Sequence, residues 1–504
     1  MNRPATLAAL TAALLVTACG PGGGVNLPGA HQVSAQALKH AATDPRIKQF
    51  YEARQWKAVW SEGASRDLLE AIEASDRHGI DADRFLAFVG QAPDAAREEA
   101  GLTLAAISYA EALSSGMADP KKVFGIYTVA SPKVDVVTGL NQALAQGNVG
   151  DWLESLAPQD PEYKVLSNAY LQVRKQIAAT KASPVPQGET IKPGGRDTRV
   201  PLIAQALHNA GFLQAAPDPQ STFYSAAMVT GIKGLQNEAG IKSDGTIGDG
   251  TIDALNNVLS DHAQQLALNL ERRRWLAREI SPTRIDVNTA SALLDYFQGG
   301  EVRFSSRVVV GQRKHETPEL SARMFQLVAN PPWNVPQGIA EEEVLPKGAA
   351  YMASQGMTIQ NGRVVQEPGP KAALGQVKFD LDDPYAIYLH DTPSKAAFGT
   401  PFRHKSHGCV RVQNAVQFAR QLAQEQGVLS EFDAKLASRE TGVVTLKQKI
   451  PVRLLYHTVF TDADGRLVYL PDPYGWDEKL AASLGMKAPR RLQIDDGVTI
   501  PLGP

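Results

Sequence analysis

Ile387-Tyr388-Leu389-His390-Asp391-Thr392-Pro393, followed by Arg403-His404-Lys405-Ser406-His407-Gly408-Cys409-Val410-Arg411, is the stretch around which this chain is organised. Cys409 is one of only two cysteines among 504 residues. The other, Cys19, falls in a segment that reads as an export signal, so the mature chain offers Cys409 no disulfide partner. A thiolate is a strong nucleophile, but an ordinary cysteine has a pKa near ~8.5 and must be activated. A neighbouring imidazole can take the thiol proton and return it to a leaving amine. His390 is the candidate, because it ends an apolar strand-like run that would hold its ring rigidly. Gly408 permits a tight turn beside the nucleophile, and the amides of Gly408 and Cys409 could face a developing oxyanion. A helix is expected soon after, with Asn414 as its N-cap, Ala415, Phe418, Ala419 and Leu422 on one face, and Gly427 as its stop. Its N-terminal partial charge would favour the thiolate. An active thiol of this kind is expected to label with iodoacetamide around neutral pH.

Two other readings use the same residues. A lone cysteine is often a small buried hydrophobe. Alternatively His390, Asp391, His404, His407 and Cys409 could be zinc ligands, as in a zinc cell-wall peptidase. The Ser-His-Gly-Cys block does not follow the usual zinc spacings, so no metal and no cofactor is expected.

His390, a gap, then Ser406-His407-Gly408-Cys409 resembles the signature of the YkuD-type L,D-transpeptidases. Trp333-Asn334-Val335-Pro336, the Pro368 to Gly375 segment and Leu389 to Lys395 resemble the large multidomain members of Gram-negative cells. The resemblance implies Cys409 as nucleophile, His390 as proton acceptor and donor, and Gly408 as a backbone oxyanion donor. It implies peptidoglycan stem peptides as substrate, 3→3 crosslinks as product, and acylation of Cys409 by carbapenems. Substrate contacts are expected from Arg411, Ser406, His407, Trp333 and Tyr351. Arg411 stands where short family members usually carry Asn. The same thioester could instead pass to water, making a carboxypeptidase, or to a protein amine, making a protein-to-wall ligase. A wall-binding scaffold with a dead site is the non-enzymatic alternative.

The expected fold class is multidomain α+β. Residues 1–19 carry Arg3, a short apolar core and Leu15-Val16-Thr17-Ala18-Cys19, which resembles a lipobox. Cys19 is then a lipidation site, and the protein is exported to the periplasm and anchored to a membrane. Residues 35–182 read as a helical scaffold domain and 183–195 as a Pro/Gly-rich linker. Residues 196–260 read as a small three-helix unit resembling a peptidoglycan-binding domain, with glycan strands as a further partner. A basic connecting helix over 261–282 includes Arg272-Arg273-Arg274, read as a solvated or interdomain face. From 283 to 504 the texture alternates and reads as the β-rich catalytic domain, with a capping insertion at about 339–370. A formal net charge of −2 gives no basic excess for nucleic acid.

Overall fold

The computed structural model describes residues 33–90, 92–179 and 184–490. The export signal, the Cys19 lipidation site, the start of the linker at Ser183 and the tail beyond Arg490 lie outside the described residues.

The first domain is helical, as the spacing predicts. Its central helix, Ala95–Ser115, starts where Asp94 accepts from the Arg97 amide at 2.9 Å and ends before Gly116. Its many alanines let neighbouring helices approach from several sides, and most of its residues are buried. Phe50, Leu68, Ile72, Leu113, Leu140, Leu153 and Leu166 fill the core around it. The small unit packs helices Val200–Asn209 and Ala226–Glu238 against the first turns of a third helix through Ile203, Leu207, Ile232, Leu235 and Ile252.

That third helix corrects the expected boundaries. It does not stop near residue 260 to be followed by a separate connecting helix. One 26-residue helix, Asp249–Arg274, runs unbroken through both segments. Ile252, Leu255 and Val258 belong to the small unit's core, whereas Ala263, Leu266 and Leu270 belong to the helical domain's core. Leu268, Trp275 and Leu276 pack with Leu455 and Leu480 of the β-rich part. The arginine run at its end is interdomain, not solvated. Arg272 is buried against Asp477. Arg274 pairs with Glu271 at 2.6 Å and donates to the His78 carbonyl at 2.6 Å. Glu271 also accepts from the amides of Met117 and Ala118 at 2.6 and 2.8 Å. Buried charges persist only when partnered in this way.

The β-rich part contains β1 (Arg284–Asn288), β2 (Leu293–Gln298), β3 (Glu301–Gly311), β4 (Leu320–Ala329), β5 (Trp333–Asn334), β6 (Met357–Gln360), β7 (Arg363–Gln366), β8 (Val377–Leu381), β9 (Leu389–His390), β10 (His404–Ser406), β11 (Val410–Val412) and β12 (Gly442–Leu455). Nine of these form one mixed sheet in the order β10-β3-β11-β9-β8-β4-β12-β1-β2, and a further pairing of the terminal β2 with β3 curls the sheet back on itself. The inward side chains pack on Phe418, Ala419 and Leu422 of helix Ala415–Glu425. The insertion consists of short helical turns from Gln337 to Ser354 and the hairpin β6–β7, which pairs with β5. A last hairpin, β13 (Val459–Thr461) with β14 (Leu467–Tyr469), returns to the helical domain, where Tyr469 stacks on His262 at 3.8 Å.

Glu319 sits where the domains meet. Its carbonyl accepts from the Thr128 amide at 3.2 Å and its Oε1 from the Tyr456 amide at 3.1 Å, while Oε2 has no partner among the described residues. Burial raises its pKa from 4.5 to about 7, against the opposing pull of Arg272. The folded pKa lies above the unfolded one, so the stability from protonated Glu319 is full below about 4.5 and lost as pH rises to about 7. Glu319→Gln should therefore gain on the wild type across that window, by on the order of 3 kcal/mol. Melting temperatures of both proteins between pH 4 and 8 test this; parallel curves would refute it.

Candidate active site

Strand pairing assembles the site. β9 and β11 are parallel, with Leu389 beside Val410 and His390 beside Arg411. β8 runs antiparallel to β9, with Lys378 opposite His390. Neighbours in register share a face, and successive residues alternate. Leu389, Val410 and Val412 therefore enter the core, while Tyr388, His390, Cys409 and Arg411 share the opposite face. The four chemically useful side chains project away from the core because the pleat sends the apolar ones into it.

His390 is fully buried, and its Nδ1 lies 2.5 Å from the Asp391 carbonyl. That contact requires a proton on Nδ1 and leaves Nε2 with the lone pair. Nε2 has no partner among the described residues, so His390 and Cys409 do not hydrogen-bond to each other in this state. Asp391 is clamped in turn: it pairs with Lys395, and its Oδ2 accepts from the Gln376 amide at 3.0 Å. A Cβ at Gly375 would collide with that oxygen, and its φ is +61°, so this position needs glycine.

The loop ahead of the thiol is tied at each residue. Ser406 Oγ donates to the Cys409 carbonyl at 2.6 Å and accepts from the Gly408 amide at 3.2 Å. Thr317 Oγ1 donates to the Gly408 carbonyl at 2.8 Å. Gly408 has φ +114°, which accounts for its identity. Its amide is engaged by Ser406, so serving an oxyanion requires that bond to switch. Ser406 is thus a loop brace here. The Cys409 Sγ lies 3.8 Å from the Ala386 carbonyl. Ala386 is held at φ +57° in a turn that Asp383 Oδ1 braces by accepting from the amides of Tyr385 and Ile387 at 2.8 and 3.3 Å. Strained backbone of this kind recurs at functional sites.

In this resting state desolvation works against the expected activation of the thiol. Desolvation pushes Cys409 up to about 11, outweighing the Tyr388 backbone and side chain, which favour the thiolate. Desolvation, reinforced by the Arg411 charge, lowers His390 to about 3. At rest the pair is neutral thiol and neutral imidazole. The helix also contributes less than expected: strand β11 separates it from Cys409, and Asn414 occupies the cap position at φ +57° without a side-chain cap bond.

Cys409 opens on a cleft of about 620 Å³, lined also by Trp333, Tyr388, Asp383, Glu343 and His407. A second cavity of about 180 Å³ lies under the insertion and holds Arg411, Tyr351 and again Trp333 and Glu343. Trp333 thus lines both spaces, while Tyr351 and Arg411 belong to the neighbouring cavity. Burial lowers Arg411 to about 10. His407 is joined to the insertion, its Nε2 lying 2.6 Å from Glu343 Oε1. His404 is structural: its Nε2 faces the Thr289 carbonyl at 2.8 Å and its ring packs on Tyr474. The five side chains considered as zinc ligands therefore turn to different partners, and no group of three or more His, Cys, Asp or Glu among the described residues is arranged for a metal. Tyr388, Asp383 and Glu343 were not singled out from the sequence. Strand alternation from His390 would have flagged Tyr388; Asp383 lies on a loop, where no period applies, and Glu343 lies in the short helical turn Ala340–Val344, where nothing distinguishes it from its acidic neighbours.

Residues 282–444 match the family described as the L,D-transpeptidase catalytic domain, YkuD, and residues 45–170 match the Scaffold domain. A Haemophilus influenzae protein named "Putative L,D-transpeptidase" is 32% identical over 245 residues, covering 44% of this chain and 50% of that protein, so the chain spans about half the length of this curated relative. Among solved structures, an L,D-transpeptidase from Xylanimonas cellulosilytica is 14% identical, covers 53% of this chain and 98% of its own, and has a TM-score of 0.17. A mutant form of an L,D-transpeptidase from Enterococcus faecium is 13% identical, covers 56% and 99%, and has a TM-score of 0.18. Superpositions this loose carry no argument.

The desolvation of the half-buried thiol has a direct consequence. Alkylation of Cys409 by iodoacetamide should be slow at pH 7 and climb steadily toward pH 11, without a plateau near neutrality. A rate already saturated at pH 7 would show a resting thiolate and contradict this geometry.

Proposed function

We propose, from the premise of a YkuD-type L,D-transpeptidase catalytic domain joined to a Scaffold domain, that this chain forms 3→3 peptidoglycan crosslinks through an acyl-enzyme on Cys409. The observation that carries the reading is the bare, oriented Nε2 of His390 on the same sheet face as the thiol. The donor is a tetrapeptide stem. As its third-residue carbonyl approaches, His390 Nε2 takes the thiol proton and sulfur attacks the carbonyl carbon. Because the resting pair is neutral, proton transfer accompanies attack rather than preceding it. The Cys409 amide, and that of Gly408 once released from Ser406, face the oxyanion; one such donor contributes about 10²–10³-fold. The tetrahedral intermediate collapses, the C–N bond breaks, and His390 returns the proton to the departing D-alanine. A side-chain amine of a second stem then takes the acyl group from sulfur.

The insertion over the cleft limits water, which favours an amine over hydrolysis. Arg411, Trp333, Tyr351 and His407 are proposed substrate contacts from the two cavities they line. The three-helix unit would hold the enzyme near glycan strands and raise the local concentration of stems. Export to the periplasm, acylation of Cys19 and carbapenem modification of Cys409 complete the proposal; intact mass before and after carbapenem reads the last of these.

Incubating the protein lacking residues 1–19 with tetrapeptide muropeptides should yield 3→3 dimers and free D-alanine. Cys409→Ala should yield neither, and His390→Ala should lower the rate by about 10²–10⁴-fold. Tripeptide monomers in place of dimers would identify a carboxypeptidase. Product from Cys409→Ala, or loss of wild-type activity to a chelator, would overturn the thiol mechanism.

A further inference from the structure

The acyl-transfer half of this reaction needs a proton acceptor for an amine that arrives through the cleft after D-alanine has left. His390 is fully buried and lines neither cavity. The attacking amine nevertheless enters through the cleft and must lose a proton as it becomes an amide. His407 does line that cleft, together with Cys409. Its side chain is 6% exposed, its Nε2 is 2.6 Å from Glu343 Oε1, and its Nδ1 is buried with no partner among the described residues. A carboxylate opposite Nε2 requires the proton there, so in the neutral ring the lone pair lies on Nδ1. Two groups are thereby assembled from separate parts of the chain: the imidazole from the loop before Cys409, the carboxylate from the turn Ala340–Val344 of the insertion.

We propose that His407 is the general base for the incoming amine, with Glu343 as its positioning residue, so that the insertion completes the second half of the active site when it sits over the cleft. The inference rests on the acyl-enzyme reading above. The neutral amine attacks the thioester carbonyl carbon; the C–N bond forms and the C–S bond breaks. Nitrogen gives its surplus proton to His407 Nδ1, while Glu343 faces the charge on the ring. Sulfur leaves as thiolate and recovers that proton from His407, which restores neutral thiol and neutral imidazole. His390 thus serves the donor half and His407 the acceptor half, which assigns a use to the bare Nε2 of the one and the bare Nδ1 of the other. The acceptor this arrangement suits is a primary amine on a flexible chain, as in a diamino-acid side chain, which needs help to shed its proton. Hydroxylamine, a much weaker base, loses its proton to water readily.

The two nucleophiles make the test. The full-length protein is acylated with a tetrapeptide donor and then offered Nα-acetyl-lysine and hydroxylamine together at neutral pH. The ratio of the two products is independent of how fast the acyl-enzyme formed. His407→Gln should lower the lysine-to-hydroxylamine ratio about 10²-fold, the contribution usual for a general base. Glu343→Gln should lower it less, and Glu343→Asp should recover part of the loss. If His407 and Glu343 merely fastened the insertion, both products would fall together and the ratio would stay at its wild-type value, which would overturn the assignment. Should His407→Gln fail to fold, Glu343→Gln reads the same ratio. A wild type that forms no covalent adduct would instead overturn the acyl-enzyme reading; a normal adduct with an unmoved ratio removes only the base.

Discussion

The parallel pairing of β9 with β11 is the constraint on which this protein's chemistry depends. It brings residues 388–390 alongside 409–411, and the pleat turns Tyr388, His390, Cys409 and Arg411 to one face while Leu389, Val410 and Val412 anchor the other. Neither strand exceeds three residues. Their placement is secured by the core beneath them and by β8 and β3 on either side. A shift of one residue in either strand would bury the reactive groups and expose the apolar ones.

Burial sets the character of the site. The face that carries the thiol is covered by the insertion, and desolvation holds Cys409 and His390 in their neutral forms. A thiolate kept permanently in solvent is open to oxidation and to adventitious electrophiles. Under the proposed mechanism the thiol ionises only as a carbonyl arrives, which avoids both. The arrangement accepts a higher barrier at rest in return for selectivity, and relies on an imidazole whose tautomer is already fixed by the Asp391 carbonyl.

The same logic, charges buried only with partners, joins the domains. Helix Asp249–Arg274 passes through three cores and ends in a cluster where Arg272, Arg274, Glu271 and Asp477 neutralise one another. Removing one member would leave another charge uncompensated, a cost of several kcal/mol, whereas the whole set contributes mainly orientation. The catalytic sheet is thus held at a defined angle to the helical domain.

Some of this could be read from residues alone. The Ser406-His407-Gly408-Cys409 block, the apolar run ending at His390 and the switch from helical period to alternation near residue 283 are local patterns, and they set out the candidate nucleophile, its candidate base and the helical and β-rich parts. The insertion at about 339–370 was also legible, because the strand alternation breaks there. Other features were decided only by folding. That residues 249–274 form one helix depends on three separate cores sharing it. That Arg272 and Arg274 are buried depends on partners over a hundred positions away, Asp477 and Tyr163 among them. That Asn414 caps nothing follows from the left-handed turn the chain makes after β11. The state of the thiol was the least readable of all, since a pKa reports how much protein surrounds a group, and that quantity exists only in three dimensions. For the same reason Glu343 could not be found beside His407: 64 residues separate them along the chain, and 2.6 Å in space.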